Sequence, residues 1–141
     1  MINQILIDCD GVLTDGTLTI DHNGEKLFKK FHTKDVRAIR ELVANGYEVY
    51  IVSADDWPGV KKFAEKVGAE FIYSRTKDDL KFDKYIAIGD DAWDVNMLKG
   101  AKKAFCPSDA DPSVLKIVEV KKLLTPGGKG VVAEMVREIL G

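Results

Sequence analysis

Residues 5–16 read ILIDCDGVLTDG, an apolar run that ends abruptly in two carboxylates and a turn containing glycine. Three consecutive apolar residues, 5–7, are typical of a strand that is buried on both faces of a parallel sheet. Side chains two residues apart in an extended strand point to the same side, so Asp8 and Asp10 can face one site. This stretch therefore predicts a buried first strand with acidic groups at its carboxyl end.

Apolar runs of strand length alternate with segments of helical periodicity along the rest of the chain. Residues 49–52 and 85–88 have the length and composition of buried strands, whereas residues 36–43, 60–67 and 132–140 carry apolar side chains at helical spacing. Such alternation is typical of a parallel sheet covered by helices on both faces. We therefore predict an α/β fold with a Rossmann-like, doubly wound parallel sheet.

Length, charge and cysteine content restrict the class of protein. The chain has 141 residues and a formal net charge of -2. This length predicts a single domain over residues 1–141, and this charge provides no general attraction to nucleic acid or anionic membranes. Cys9 and Cys106 lack metal or redox spacing, and no apolar stretch approaches the ~20 residues that cross a bilayer. We expect a soluble, cytoplasmic protein that binds neither nucleic acid nor membranes.

Polar residues stand at the carboxyl ends of three predicted strands. Asp8 and Asp10 follow the first, Ser53 follows the second, and Asp90 follows the strand at residues 85–88. These ends converge on one crevice in an open parallel sheet. Asp is also common in turns and helix caps, but three carboxylates at strand ends favour a site. Without a histidine or cysteine cluster, the carboxylates favour a hard cation such as Mg²⁺.

A cation beside carboxylates suits phosphoryl transfer. The metal neutralises the charge that gathers when a carboxylate attacks a phosphate. Asp8 is then a candidate nucleophile that forms an aspartyl-phosphate. Asp10, which lies near other negative charges, is a candidate general acid. The sequence thus predicts a Mg²⁺-dependent phosphomonoester hydrolase.

The segment DCDGVLTDG, residues 8–16, resembles the first motif of the haloacid dehalogenase superfamily. Within that superfamily the chain is most similar to the capless phosphatases that act on 3-deoxy-D-manno-octulosonate 8-phosphate. These share the long form of the motif and a hairpin just after it, here residues 17–31 with turn residues at 21–24. The resemblance implies a β-hairpin flap, no large cap domain, and a small phosphorylated substrate such as a sugar-acid phosphate.

The resemblance also implies roles for individual residues. Asp8 corresponds to the nucleophile and Asp10 to the general acid/base, whose backbone carbonyl also binds metal. Asp90 corresponds to the third metal ligand, so that Asp8, Asp10 and Asp90 would hold Mg²⁺, and Asp94 would support the metal shell. Ser53 matches the hydroxyl of the second motif, which hydrogen-bonds the transferring phosphoryl group.

The third motif of the family requires a phosphate-binding lysine, for which the chain offers two candidates. Lys77 and Lys81 both precede the strand at 85–88, in a segment that is shorter than usual in the family and is expected to lack a helix. A solvated charged surface is the alternative interpretation for each lysine. We favour Lys77 and leave Lys81 as the alternative.

The C-terminal region contains a glycine cluster, PGGKG, at residues 126–130. It resembles the family's C-terminal segment, which reaches into the active site of a neighbouring subunit. The resemblance therefore implies a homotetramer. An ordinary loop is the alternative interpretation of the glycines.

The chain departs from the family pattern in its second motif and its C-terminal loop. Ala54 and Asp55 stand where the family commonly has Gly-Arg, and Lys129 stands where it tends to have Arg, which loses bidentate recognition. These departures support a second hypothesis, a catalytically weak binding or assembly module with this fold. Trp57 and Trp93 are expected to pack rather than to contact substrate.

Overall fold

The computed structural model describes all residues of the chain, 1–141. The strands are β1 Gln4–Asp8, β2 Glu48–Ser53, β3 Glu70–Tyr73, β4 Tyr85–Ile88, β5 Lys103–Cys106 and β6 Val120–Lys122. The helices are α1 Thr33–Ala44, α2 Pro58–Val67, α3 Val95–Gly100, α4 Pro112–Leu115 and α5 Val131–Leu140.

All six strands are parallel and lie in one sheet in the order β3-β2-β1-β4-β5-β6. β1 pairs with β2 on one side and with β4 on the other, so the strand order reverses between β1 and β4. Ligands bind at such a reversal in doubly wound sheets because the loops on its two sides diverge and leave a crevice. The predicted Rossmann-like fold is confirmed, and the crevice lies beyond Asp8.

Alternate residues of β1 supply two cores on the two faces of the sheet. Ile5 and Ile7 lie in one apolar cluster with residues of α1, α2 and α5, whereas Leu6 lies in a second cluster with residues of α3 and α4. All three side chains are fully buried. Burial on both faces is the reason why this run is continuously apolar, and it fixes β1 as the rigid support of the residues that follow it.

Local signals set the helix boundaries. Nδ1 of His32 accepts a hydrogen bond from the N–H of Lys34 at 3.1 Å and caps α1. Pro58 occupies the first turn of α2, and Gly68, with φ of +82°, ends that helix in the left-handed conformation that favours glycine. None of the helices combines the length and apolar character needed to span a membrane.

The predicted flap is present but is only a minimal hairpin. Ile20 and Lys26 form one antiparallel bridge, and the carboxylate of Asp21 accepts hydrogen bonds from the N–H groups of Asn23 and Glu25. The two arms therefore lack the regular strands expected from the sequence. The chain continues from the flap into α1 without a cap domain.

The segment between β3 and β4 contains no helix, as expected from its length. Ser74 anchors it at the end of β3, because its N–H donates to the carbonyl of Ser53 at 2.9 Å and its hydroxyl donates to Asp79 at 2.5 Å. The segment is therefore an irregular but hydrogen-bonded loop that lies over the carboxyl ends of β1 and β4.

A buried carboxylate joins α1 to α5. Asp35, in the first turn of α1, is fully buried, and its Oδ1 accepts a hydrogen bond from the N–H of Ala133 at 2.9 Å in the first turn of α5. Its Oδ2 is buried without a hydrogen-bond partner. Burial raises the pKa of Asp35 to about 6. The carboxylate thus caps α5 from another helix, but its ionised form is disfavoured by burial.

Asp35→Asn is expected to raise the unfolding free energy relative to that of the wild type by more at pH 7 than at pH 4. The native pKa of Asp35 lies above its unfolded value, so its contribution to stability is complete below that unfolded value and is lost as the pH rises through about 6. Asparagine keeps the acceptor without the charge. The difference in unfolding free energy between variant and wild type should therefore increase by about 2 kcal/mol from pH 4 to pH 7 in urea titrations.

The control for this prediction is Asp83→Asn, which changes an exposed carboxylate to an amide. The difference in unfolding free energy between Asp83→Asn and the wild type should vary much less between pH 4 and pH 7. A pH-independent difference for Asp35→Asn would show that the Asp35 carboxylate does not titrate as its burial requires.

Candidate active site

Three carboxylates meet at the crevice between β1 and β4. Asp8 is the last residue of β1, Asp90 follows β4 by two residues, and Asp94 ends a single helical turn, Ala92–Asp94. One oxygen of each carboxylate lies within 4.8 Å of the others. Asp8 is 4% exposed and Asp94 is fully buried. The structure thus brings together Asp8 and Asp90, as predicted, and adds Asp94 to the cluster.

Glycine at position 11 is required for this approach. Gly11 has φ of +87°, and a Cβ placed there would lie 1.8 Å from Oδ2 of Asp90. Any other residue would meet both the strained backbone and the carboxylate. The first motif therefore turns at Gly11 in a way that makes room for Asp90.

Lys77 lies inside the carboxylate cluster. Its Nζ is 2.8 Å from Oδ1 of Asp8 and 2.7 Å from Oδ1 of Asp94. Its N–H donates to the hydroxyl of Ser74 at 2.9 Å, and its φ of 57° turns the side chain inward from the loop. Lys81, the other candidate, is exposed. Of the two lysines, the structure brings Lys77 to the nucleophile candidate.

Burial and mutual repulsion shift the ionisation of these groups. Burial raises the pKa of Asp8 well above its usual range, the charge of Asp94 raises it further, and Lys77 opposes both. Burial also raises the pKa of Asp90 to about 6. Burial alone would lower the pKa of Lys77, but Asp8 and Asp94 outweigh it and raise that pKa. One lysine therefore does not neutralise three crowded carboxylates.

The cluster has the properties of a divalent cation site. Oδ1 of Asp90 is buried and has no hydrogen-bond partner. Oδ2 of Asp94 accepts from the N–H groups of Asp90 and Asp91 at 2.9 and 3.1 Å. Its Oδ1, which like that of Asp90 has no hydrogen-bond partner, forms an ion pair with Nζ of Lys77 at 2.7 Å. Hard carboxylate oxygens fit Mg²⁺. Asp8 and Asp90 thus have oxygens available for a cation, while Asp94 fixes the loop and the lysine.

The carboxylate of Asp10 is not part of the three-carboxylate cluster. Its Oδ1 and Oδ2 lie 2.6 and 2.8 Å from Nζ of Lys29 in the flap, and the hydroxyl of Thr14 donates to Oδ1 at 3.2 Å. Thr14 is 3% exposed and also accepts hydrogen bonds from Gly11 and Gly16. The candidate acid is therefore held by its own motif and by the flap, while it lines the same cavity as Asp8.

A charged network connects the flap to the second motif. Asp55 Oδ2 lies 3.4 Å from Nζ of Lys29 and also contacts Nζ of Lys26. The side chain of Lys29 is only 6% exposed. In a regular strand, Lys26 and Lys29 would point to opposite faces because they are three residues apart. The irregular flap turns both toward Asp55, so the sequence pattern contained no signal for this contact.

The second-motif residue Ser53 occupies the end of β2, beside β1. It is 1% exposed, and its Oγ accepts a hydrogen bond from the N–H of Asp55 at 3.1 Å. That contact leaves the hydroxyl hydrogen for another acceptor. Ser53 is therefore in the predicted position, at the strand end next to Asp8.

The glycine loop packs against the first motif of its own chain. A Cβ at Gly127 would lie 1.9 Å from the carbonyl oxygen of Gly11, and the N–H of Gly128 donates to the carbonyl of Val12 at 2.9 Å. Only glycine permits this approach. The loop thus packs against the turn that carries Asp10. This contact disfavours the alternative interpretation of the glycines as an ordinary loop.

A cavity of about 190 Å³ opens onto the cluster. Its lining residues are Asp8, Asp10, Ala54, Lys77, Asp91 and Trp93. A wider cavity of about 570 Å³ lies along α5, but none of the clustered carboxylates lines it. The smaller cavity is the one that gives a ligand access to Asp8.

Comparison with known proteins agrees with this geometry. No family model matches the chain. The 3-deoxy-D-manno-octulosonate 8-phosphate phosphatase of Haemophilus influenzae is 32% identical over 99% of this chain and 83% of the relative.

Solved structures of similar phosphatases show the same fold. The cobalt-bound form of the phosphatase from Haemophilus influenzae is 30% identical over 99% of this chain and 84% of its own, with a TM-score of 0.88. That from Moraxella catarrhalis, in complex with magnesium, phosphate and KDO, is 22% identical over 99% of this chain and 86% of its own, with a TM-score of 0.88. These likenesses and the acidic cluster confirm the predictions of a metal-dependent phosphatase with the fold of this superfamily.

Proposed function

The chain belongs to the haloacid dehalogenase superfamily, in the family of the 3-deoxy-D-manno-octulosonate 8-phosphate phosphatases, and from this premise we propose a Mg²⁺-dependent hydrolase of a phosphorylated sugar acid. The observation that carries the proposal is the contact of Lys77 with Asp8 inside a carboxylate cluster at the strand-order reversal. We assign this activity to one domain formed by residues 1–141.

In the proposed reaction, an oxygen of Asp8 attacks phosphorus and the bond from phosphorus to the leaving-group oxygen breaks. Asp10 gives its proton to that oxygen, which leaves as an alcohol. Asp10 then takes a proton from a water molecule that attacks the aspartyl-phosphate, which releases inorganic phosphate and restores the Asp8 carboxylate. Lys77 and the hydroxyl of Ser53 hold the transferring phosphoryl group.

We assign the metal site to the carboxylates of Asp8 and Asp90 and the backbone carbonyl of Asp10. Mg²⁺ bound there would neutralise charge shared by the phosphoryl group and the carboxylates. Asp94 keeps its place through Lys77 and the N–H groups of Asp90 and Asp91. Its role is to hold the loop that carries Asp90.

A sugar acid is supported as substrate by the family and by the charges of the flap. Asp55 stands where the family commonly has an arginine, but it is paired with Lys26 and Lys29. The lysines of this network therefore come from the flap, and the carboxylates of Asp55 and Asp10 balance their charge. When Asp10 turns from Lys29 to protonate the leaving group, the ammonium of Lys29 retains only Asp55, at 3.4 Å, and a substrate carboxylate can take the place of Asp10. The first candidate is 3-deoxy-D-manno-octulosonate 8-phosphate.

A homotetramer is supported by the surface of the flap. Four large apolar side chains there are about half exposed or more: Leu18, Ile20, Leu27 and Phe28. Such a patch on a small hairpin is typical of a surface that another subunit covers. We also assign the protein to the cytoplasm, because Cys9 and Cys106 are free and buried.

The test is phosphate release from a panel of phosphomonoesters, with Mg²⁺ and with EDTA. We expect turnover only with the metal, and the highest kcat/KM for 3-deoxy-D-manno-octulosonate 8-phosphate, exceeding that of neutral sugar phosphates by at least about tenfold through the added charge-assisted contact. Equal rates on neutral sugar phosphates would refute the sugar acid. No turnover on any ester would favour the binding or assembly module.

A further inference from the structure

Trp93 is an exposed aromatic residue at the mouth of the active-site cavity. It is 60% exposed, and it lines the same cavity of about 190 Å³ as Asp8 and Lys77. The packing role expected from the sequence is therefore wrong for this tryptophan. An indole of this exposure leaves a large apolar surface in water beside charged groups.

The backbone around Trp93 is held firmly. Trp93 lies in the turn Ala92–Asp94, where Oδ1 of Asp91 accepts from the N–H of Ala92 at 2.6 Å. Oδ2 of Asp94 accepts from the N–H of Asp91 at 3.1 Å, and its Oδ1 faces Lys77 at 2.7 Å. The lysine that contacts Asp8 and the turn that carries Trp93 thus share one anchor, Asp94. The backbone that carries the indole consequently has a defined position relative to Asp8 and Lys77.

The cavity divides into a charged part and an apolar part. Asp8, Asp10 and Lys77 are the groups that the phosphoryl group requires under the proposed function, on which this inference rests. Ala54 and Trp93 are the apolar residues among those that line the cavity. Both are exposed. A leaving group held in this cavity therefore has Ala54 and Trp93 as its apolar neighbours.

We propose that Trp93 is a specificity-determining residue, whose indole face packs against the ring of the substrate's leaving group. A six-membered sugar ring carries C–H groups on its faces, and such an apolar face covers an indole better than a flexible open chain does. A rigid aromatic wall also restricts little side-chain freedom on binding. The phosphatase should consequently prefer cyclic leaving groups to open-chain ones with the same number of carbon and oxygen atoms.

The kinetic test compares glucose 6-phosphate with its open-chain reduction product, glucitol 6-phosphate, and adds 3-deoxy-D-manno-octulosonate 8-phosphate. Trp93→Ala should lower kcat/KM for the two ring esters about five- to tenfold, mainly through KM, because it removes one aromatic packing contact. The open-chain ester should lose less than about twofold. Trp93→Phe, which keeps a ring, should recover most of the loss.

An equal loss on ring and open-chain esters would overturn the proposal, because it would indicate a structural role for Trp93. If the wild type is active and Trp93→Ala has the same kcat/KM on every ester, the proposal for Trp93 is also overturned, while the proposed phosphatase activity stands. Failure of the wild-type enzyme on every ester would instead reject the proposed function itself.

A spectroscopic test uses the fact that the chain has only two tryptophans. In a Trp57→Phe background Trp93 is the sole indole emitter, and adding Asp8→Asn prevents turnover. Binding of 3-deoxy-D-manno-octulosonate 8-phosphate with Mg²⁺ should shift the emission of Trp93 and reduce its quenching by acrylamide. Saturation is established independently by calorimetry. Unchanged quenching at saturation would overturn the proposal.

Discussion

Asp8→Asn is expected to lower phosphate release by at least about 10⁴-fold, because the amide cannot form the aspartyl-phosphate and the remaining groups cannot replace a nucleophile. Asp8 is suited to this role by its position at the end of β1, with Nζ of Lys77 only 2.8 Å from Oδ1. The measurement is phosphate release from the preferred ester at saturating Mg²⁺. Trapping of radioactive phosphate on the wild-type protein, but not on the variant, would identify the intermediate.

The same variant should remain folded. Asp8 is surrounded by Asp90 and Asp94, so removal of one negative charge relieves repulsion, while Oδ1 of the asparagine can still accept from Lys77. The unfolding free energy in EDTA should therefore not decrease. Asp56→Asn, at an exposed position two residues along the chain from the cavity-lining Ala54, controls for the chemical change and should retain turnover. Activity of Asp8→Asn within tenfold of wild type would exclude Asp8 as the nucleophile.

The sequence was sufficient to locate the residues that stand at strand ends. Asp8 and Ser53 directly follow apolar runs, and Asp90 follows one after a single glycine. Parallel pairing of β1 with β2 and β4 brings such ends together whatever the loops do. Their proximity therefore follows from topology alone. Lys77 lies in an irregular loop, where periodicity has no predictive value, and only the family resemblance distinguished it from Lys81.

The contacts of the flap could not be predicted from pattern. The ion pair between Lys29 and Asp10 joins residues 19 positions apart, through a hairpin arm without regular strand geometry. The orientation of Asp10 depends on that arm and on Thr14. The strand rule for alternate residues fails because β1 ends at Asp8 and Asp10 lies in the helical turn Cys9–Leu13. The exposure of Trp93 depends likewise on a single turn. Specificity groups therefore lie where local backbone geometry, not periodicity, determines direction.

Lys77→Met is expected to reduce both turnover and stability. Nζ of Lys77 contacts Asp8 and Asp94, and its side chain is 5% exposed. Methionine keeps most of the stem but leaves the carboxylates without this cation. Loss of one partner from a buried ion pair lowers the unfolding free energy by about 3 kcal/mol, and loss of a charged group that faces the phosphoryl lowers kcat at least about 100-fold. Urea unfolding in EDTA and phosphate release with Mg²⁺ measure the two effects.

Adding Mg²⁺ tests whether Lys77→Met loses stability through the lost charge or through lost packing. The ion neutralises the same carboxylates as Lys77, so it should restore part of the stability of Lys77→Met and stabilise that variant more than it stabilises the wild type. Catalysis should not recover, because the metal cannot replace the lysine on the phosphoryl group. Lys81→Met, at an exposed position of the same loop, should change neither quantity appreciably. A larger effect at Lys81 than at Lys77 would assign the third-motif role to Lys81 and would require the loop to rearrange when substrate binds.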